Sequence, residues 1–303
     1  MPNRFADELL TLGPDAPDRV PFSVSAAEAY CRRLAKRHYE NFLVGSCLLP
    51  RAFRQHFFNV YAYCRWADDL ADEISDPAES LRLLDWWSEQ LTGGDSRHPV
   101  FIALRQTISQ FKIPHEPFLD LLAAFRRDQN QTRYATWDEL LSYCELSANP
   151  VGRIVLHIGD AYDEANVRDA DAICTGLQLA NFWQDMRRDF QMGRVYAPAE
   201  LLDEAGVQED DFRDDAANPA MRDLVRRLVE MTEPLLQRGS PLVERVPAWL
   251  AADVRLFVGG GECVLRAIRR QQFDVLRKRP EVGKASQLRL VIAAWFATKS
   301  GSR

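Results

Sequence analysis

The chain lacks the marks of sheets, membrane spans and metal fingers. No run alternates apolar and polar residues at strand period, and no Asn-Gly pair offers a hairpin turn. No apolar stretch approaches the roughly 18–20 residues of a spanning helix; LVIAAWFA, the most apolar late segment at 290–297, is too short. Cys31, Cys47, Cys64, Cys144, Cys174 and Cys263 are scattered, with no CxxC pair and no zinc-ligand spacing. Buried free thiols and a reducing, cytoplasmic setting are the expectation. Excess positive charge is also lacking. A net charge of −6 argues against a nucleic-acid partner and gives no general pull toward anionic lipid. Residues 1–22, with Asp7 and Glu8 and no sustained apolar core, do not read as a signal peptide, so membrane contact is expected to be peripheral, at the inner membrane.

What remains is helical. With 303 residues, 47% of them hydrophobic and 27% charged, the chain can bury a large core. Residues 1–22 read as an irregular lead-in and 23–303 as one all-α domain. Ser25-Ala-Ala-Glu28 and Thr136-Trp-Asp-Glu139 have the form of capping boxes. Pro50 precedes a helix of about 51–73, and Asp76-Pro77 starts another that Gly93-Gly94 ends. Further helices are expected at about 97–111, 115–129, 137–158, 168–191, 218–239, 247–278 and 284–298, with a break near Asn149 imposed by Pro150. No solenoid repeat or low-complexity linker interrupts them.

Two aspartate clusters stand out in this apolar background. CRWADDLADE carries Asp68, Asp69 and Asp72; QLANFWQDMRRDF carries Asp185 and Asp189. On a helix Asp68 and Asp72 share a face with Asp69 beside them, and Gln178, Asn181, Asp185 and Asp189 fall within an arc of about 80°. Such a stripe can be the solvated face of an amphipathic helix. Like charges four residues apart destabilise a helix, however, and this stripe holds no basic residue between its acids. Divalent cations would cancel the repulsion. Oxygen donors without histidine point to Mg²⁺, which favours phosphate co-ligands, so a diphosphate held between two such helices is the natural partner.

In this order HYENF (38–42), YAYCRWADDLADE (61–73), YCELSANPVG (143–152), QLANFWQDMRRDF (178–190) and GRVYAP (193–198) resemble the squalene/phytoene synthase family of head-to-head prenyl synthases, from about Tyr30 to Arg279. The resemblance implies an isoprenoid-synthase helical bundle with a central apolar cavity, acting on a prenyl diphosphate. It implies that Asp68, Asp72, Asp185 and Asp189 hold Mg²⁺ and diphosphate with Asp69 and Asn181 assisting, and that Tyr61 lies near the reacting carbons. Arg65, His38, Asn41 and Phe42 fall at the diphosphate end, and Gln178 and Tyr143 on the cavity wall. Phe42, Phe57, Trp66, Phe182 and Trp183 are candidate apolar walls. Arg51 and Arg194 are weaker phosphate candidates.

Two departures bear on the reaction. Glu40 and Gln184 stand where many members carry a basic residue, which suggests one diphosphate rather than two. Gly261 stands where relatives commonly have a cavity-facing Tyr; close helix packing and extra room for a branched substrate or water are both open readings. With HYENFLVGSCLLP, these features resemble the bacterial hydroxysqualene-forming branch of hopanoid pathways. That branch ionises presqualene diphosphate, rearranges it and captures water. No NADPH is expected, and Gly259–Gly261 is not a dinucleotide motif. The alternatives are condensation of two farnesyl diphosphates to presqualene diphosphate or squalene, and a phytoene-type synthase. A terpene cyclase would need an N/D-D-x-x-S/T-x-x-x-E motif that 181–189 lacks, and intact acids count against a non-catalytic interaction protein. A monomer or weak dimer is expected.

Overall fold

The computed structural model describes residues 4–17, 22–37, 49–94 and 96–283. Among them every regular element is helical. His38, Glu40, Asn41, Phe42 and Cys47, and the helix expected at 284–298, lie outside the described residues. Two compact units meet in sequence at Asn130 and Gln131, a boundary no change of composition announces.

The first unit holds α1 (Arg4–Leu12), α2 (Val24–Arg37), α3 (Arg51–Asp72), α4 (Pro77–Thr92), α5 (Pro99–Phe111) and α6 (Glu116–Asp128). The irregular lead-in is corrected by α1. Phe5, Leu9 and Leu12 repeat at helical spacing; the Phe5 ring packs edge-on to Trp66, and Glu8 accepts from the Tyr30 hydroxyl at 2.6 Å and from Arg37 at 2.9 Å. The Ser25 capping box is also corrected, because α2 starts earlier and it is Ser23 Oγ that accepts from the Ala26 amide at 3.3 Å. α3 and α4 follow expectation. Asp76 caps α4 by accepting from Ala78 N, ahead of Pro77 at the first turn.

On one face α3 is fixed by its own polar residues to two neighbours, α5 and α6. Asn59 donates to Ala103 O and Thr107 Oγ1, each at 3.1 Å, and Tyr63 donates to Phe118 O at 2.9 Å. Trp66 stacks on Trp87 with ring centroids 5.3 Å apart, and His98 meets both edge-on. Each such aromatic removes about 150–250 Å² from water, roughly 4–6 kcal/mol of gross stabilisation before entropy is charged against it.

The second unit holds α7 (Trp137–Ser147), α8 (Asn149–Ile158), α9 (Glu164–Gln191), α10 (Ala199–Ala205), α11 (Pro219–Gly239) and α12 (Ala248–Arg270). The break before Pro150 is present. Thr136 caps α7 by accepting from Glu139 N at 3.2 Å, but Glu139 accepts from Ala135 N, so the box is displaced by one residue. α9 is the spine of this unit. Asp163 caps it, Gly152 lets α8 approach so closely that a Cβ there would stand 2.7 Å from Cys174 Sγ, and Gly176 gives the same closeness to Leu236 of α11. α12 runs beside α9 in the same direction, with Ala170, Ile173, Ala251 and Val254 in one apolar cluster and Gly261 against Leu177.

Gly261 settles one of the open readings. A Cβ there would meet Leu177 and Leu236 at 3.0 Å, so the residue serves close packing and makes no extra room. The open position is Gly260, where a Cβ would meet nothing within 4 Å. Cys31, Cys64, Cys144, Cys174 and Cys263 are all free thiols; Cys31, Cys144 and Cys263 are buried as expected, whereas Cys64 and Cys174 are only partly buried. Among the described residues no helix is long and apolar enough to cross a membrane.

Candidate active site

In α3 the helical repeat places Phe57, Tyr61, Arg65, Asp68 and Asp72 along one face. The opposite face carries Trp66, 1% exposed, whose indole donates to Tyr30 at 2.8 Å inside the aromatic core. Trp66 is therefore a core residue and not a wall of any cavity the aspartates could share. Arg65 clasps the acids from within the helix. It reaches Asp68 Oδ2 at 3.1 Å and pairs with Asp69, three and four residues on. Asp68 is partly exposed and Asp72 exposed, whereas Asp69 is buried in its pair. Burial raises the Asp69 carboxyl to about 6 against the pull of Arg65. Burial likewise raises the Tyr61 hydroxyl, with Arg65 opposing.

In α9 the four polar side chains differ in exposure. Asn181 is exposed, Gln178 and Asp189 are half-buried, and Asp185 is 6% exposed. Trp183 lies across the helix, fully buried, donating to Thr232 Oγ1 at 2.8 Å. It also lines a small recess beside Asp189, so it is both a core residue and a wall. Phe182 borders Asp189 in the same recess, shared with Arg194 and Tyr196, whose ring stacks on Phe182 at 3.7 Å. Tyr143 is buried in the same aromatic group. The backbone of the GRVYAP loop returns to the helix end, Arg194 N donating to Asp189 O at 2.8 Å. The Asp189 carboxyl is pushed up to about 7, by burial first and by the Asp185 charge second; Arg194, Arg188 and Arg279 oppose. Arg51 is exposed at the start of α3.

The residue that sequence reasoning missed is Arg279. Its guanidinium takes both oxygens of Asp185, Nη2 to Oδ2 at 3.1 Å, and the same Nη2 donates to Gln184 Oε1 at 3.1 Å. Gln184, read as a missing cation, is buried and holds an arginine brought from the segment after α12. No local spacing could have found a partner 94 residues away.

A second missed residue is the acid Asp253 in α12, 3% exposed, with Oδ1 lacking any hydrogen-bond partner and its carboxyl raised to about 7 by burial. Gly261 lies level with Leu177, eight residues before Asp185, and Asp253 is eight residues before Gly261. At 1.5 Å per residue Asp253 is thus on the order of 20 Å along the helices from Asp185. It does not belong to this cluster.

Among the described residues no three His, Cys, Asp or Glu side chains gather into a metal-holding group. Pairs of carboxylates remain, and Mg²⁺ commonly takes only one or two carboxylates with waters and substrate phosphate. The donor sets fit that ion.

A family model described as squalene/phytoene synthase matches residues 35–286. The chain belongs to the squalene/phytoene synthase family. Family members close to it include a hydroxysqualene synthase of Rhodopseudomonas palustris, 33% identical over 88% of this chain and 91% of its own length. Another hydroxysqualene synthase, of Zymomonas mobilis, is 34% identical over 84% and 86%. Among solved structures, the squalene synthase HpnC from Alicyclobacillus acidocaldarius is 42% identical with a TM-score of 0.79, covering 84% of this chain and 97% of that one. A dehydrosqualene synthase solved with a ligand is 25% identical with a TM-score of 0.83, covering 91% and 98%. The squalene/phytoene synthase membership makes the chain an isoprenoid synthase with the all-α fold of these enzymes.

Proposed function

We propose that this protein ionises presqualene diphosphate with the help of Mg²⁺ and directs the rearranged cation to water, giving hydroxysqualene and diphosphate. The observation that carries the chemistry is the pair of carboxylates, four residues apart, on each of two helices, every pair already facing a guanidinium. Hydroxysqualene synthases among the relatives support the product.

Asp68 and Asp72 on α3, and Asp185 and Asp189 on α9, would hold Mg²⁺, with Asp69 and Asn181 assisting. Bound there, Mg²⁺ would neutralise charge growing on the leaving diphosphate. Arg65 adds a cation beside the first pair and is placed to orient a phosphate oxygen. The C–O bond to diphosphate breaks and its electron pair leaves with the diphosphate. Opening of the cyclopropane ring relocates the positive charge, a water oxygen forms the new C–O bond, and the proton it sheds passes to the diphosphate or to solvent. Tyr61 and Phe57, on the same face as Asp68, present aromatic surface to a cation and limit the water that reaches it. No hydride donor is needed.

The structural relative at 42% identity bears the name squalene synthase, which favours a second reading, condensation of two farnesyl diphosphates to presqualene diphosphate or squalene. Purified protein with Mg²⁺ and either presqualene diphosphate or farnesyl diphosphate, each with and without NADPH, separates the two. Hydroxysqualene from presqualene diphosphate alone supports the first. Consumption of farnesyl diphosphate, or a product that requires NADPH, replaces it with the second.

A further inference from the structure

We infer that Gln184 positions Arg279 as the resident counter-cation of Asp185, so that a divalent ion reaches this carboxylate only as the guanidinium leaves. The inference rests on the reading of Asp185 and Asp189 as metal ligands.

Gln184 makes the arrangement specific. It is 8% exposed, and its amide uses both ends on consecutive residues of one segment. Oε1 accepts from Arg279 Nη2 at 3.1 Å, and Nε2 donates to Pro280 O at 2.6 Å. A glutamine can do this because it both donates and accepts; an arginine at 184 could only donate. The side chain thus fixes the backbone just past Arg279 and the far edge of its guanidinium together. That leaves the remaining edge of the fork on both oxygens of Asp185.

The pair is also built to come apart. The Asp185 side chain is 8% exposed but that of Arg279 is 47% exposed, so the guanidinium can swing into water while the carboxylate stays. The segment does not depend on the pair for its place. Arg187 donates to Leu276 O at 2.7 Å, and Asp274 accepts from Ala217 N at 2.9 Å and from Arg222 at 2.7 Å. These contacts hold residues 274–276 beside α9 and α11 whatever Arg279 does. A bidentate guanidinium occupies the carboxylate oxygens that a hard cation would use. Metal alone must therefore displace Arg279 into solvent, whereas metal arriving with a diphosphate supplies an anion for the departing cation. Metal and diphosphate binding become reciprocally coupled through Arg279.

Mn²⁺ binding followed by electron paramagnetic resonance tests this, with and without inorganic pyrophosphate. A D68N/D72N background removes the first pair from the signal. In that background we expect weak Mn²⁺ binding alone and tighter binding with pyrophosphate. Arg279→Gln should tighten Mn²⁺ binding in the absence of pyrophosphate by about tenfold, within the range of coupled sites, and shrink the pyrophosphate enhancement. Gln184→Ala should move both quantities the same way by less, and Arg279→Lys should restore much of the wild-type behaviour. Gln184→Ala and Arg279→Lys carry the test if Arg279→Gln fails to fold, as judged by circular dichroism. Mn²⁺ bound with pyrophosphate but with unchanged or weaker metal-only affinity in the folded Arg279 and Gln184 variants overturns the exchange while leaving the metal ligands in place. Absence of Mn²⁺ binding even with pyrophosphate removes the metal reading and the exchange with it.

Discussion

The acidic helices α3 and α9 share a local pattern, carboxylates four residues apart, yet their charges are compensated from different distances along the chain. In α3 the guanidinium comes from Arg65, three and four residues before the acids, on the same turn of helix. In α9 it comes from Arg279, 94 residues later, and is steered by Gln184. A local clasp follows the helix wherever the helix goes. A remote clasp ties the acid to the position of another segment, and it can be released without unwinding the helix that bears the acid. The first arrangement is suited to a fixed patch of alternating charge, the second to a charge that is exchanged.

Removing the acids is the strongest way to break this comparison. Asp68→Ala and Asp185→Ala should each lower product formation by about 10³-fold or more, the scale of losing a group that stabilises charge in the transition state. Circular dichroism should stay helical in both, because each change removes a carboxylate and leaves a strong helix former in a long helix. Product formation at the wild-type rate in one variant would take that helix out of the active site and leave the other as its sole acidic element.

A middle-sized effect separates clasped from unclasped acids, and here the signs are opposite. Arg65→Ala leaves Asp69 buried without its cation, which should destabilise the fold by about 3 kcal/mol at pH 8. Asp69 is already at about 6 with Arg65 present, and loss of the cation takes it higher. The folded state then binds the proton more tightly than the unfolded state, so the penalty grows as pH rises through that range and is smaller at pH 5. Asp253 has no clasp. Its carboxyl at about 7, against about 3.9 unfolded, means stability is lost as pH climbs between the two values. Asp253→Asn removes the ionisation at nearly equal volume and should stabilise by on the order of 2 kcal/mol at pH 8 and by little at pH 4. Urea denaturation of wild type and the two variants at pH 8, 5 and 4 checks this. A destabilising Asp253→Asn at pH 8 would mean that Asp253 has a partner as real as Arg65.

How far the sequence could be read follows the same division between local and remote. The helix start at Asp76-Pro77, the break at Asn149-Pro150 and the faces of α3 and α9 all depend on neighbours within one or two turns, and they are where the pattern puts them. The acids and Arg65 were legible for that reason. Trp66 was misassigned as a wall because an aromatic two residues before an aspartate lies across the helix from it in space; its indole points to Tyr30. Gln184 looked like an absence of charge because the charge it holds arrives from after α12. At Gly261 close packing and extra room stayed open because the neighbours that decide, Leu177 and Leu236, sit on two other helices. Periodicity shows which side of a helix a residue occupies, and it is silent about what the rest of the chain brings there.

The smallest effect is a pH dependence confined to the second pair. Asp189 at about 7 is protonated in a large share of molecules at neutrality, and a carboxylate must lose its proton to bind a hard cation. For one group at that value the ionised fraction, and with it the Mn²⁺ affinity in the D68N/D72N background, should rise about tenfold from pH 6 to pH 8 and flatten above it. Asp189→Asn should remove the slope along with most of the affinity. Arg279 enters here as well, since its charge is one of those holding Asp189 down. In Arg279→Gln the midpoint should therefore move above 7, even as affinity at high pH increases because Asp185 no longer has a competing cation. A guanidinium serving only to brace the fold would predict neither the shifted midpoint nor the higher plateau. A flat profile in the wild-type second site would remove Asp189 from the ligand set and leave Asp185 to share its charge with Arg279 alone.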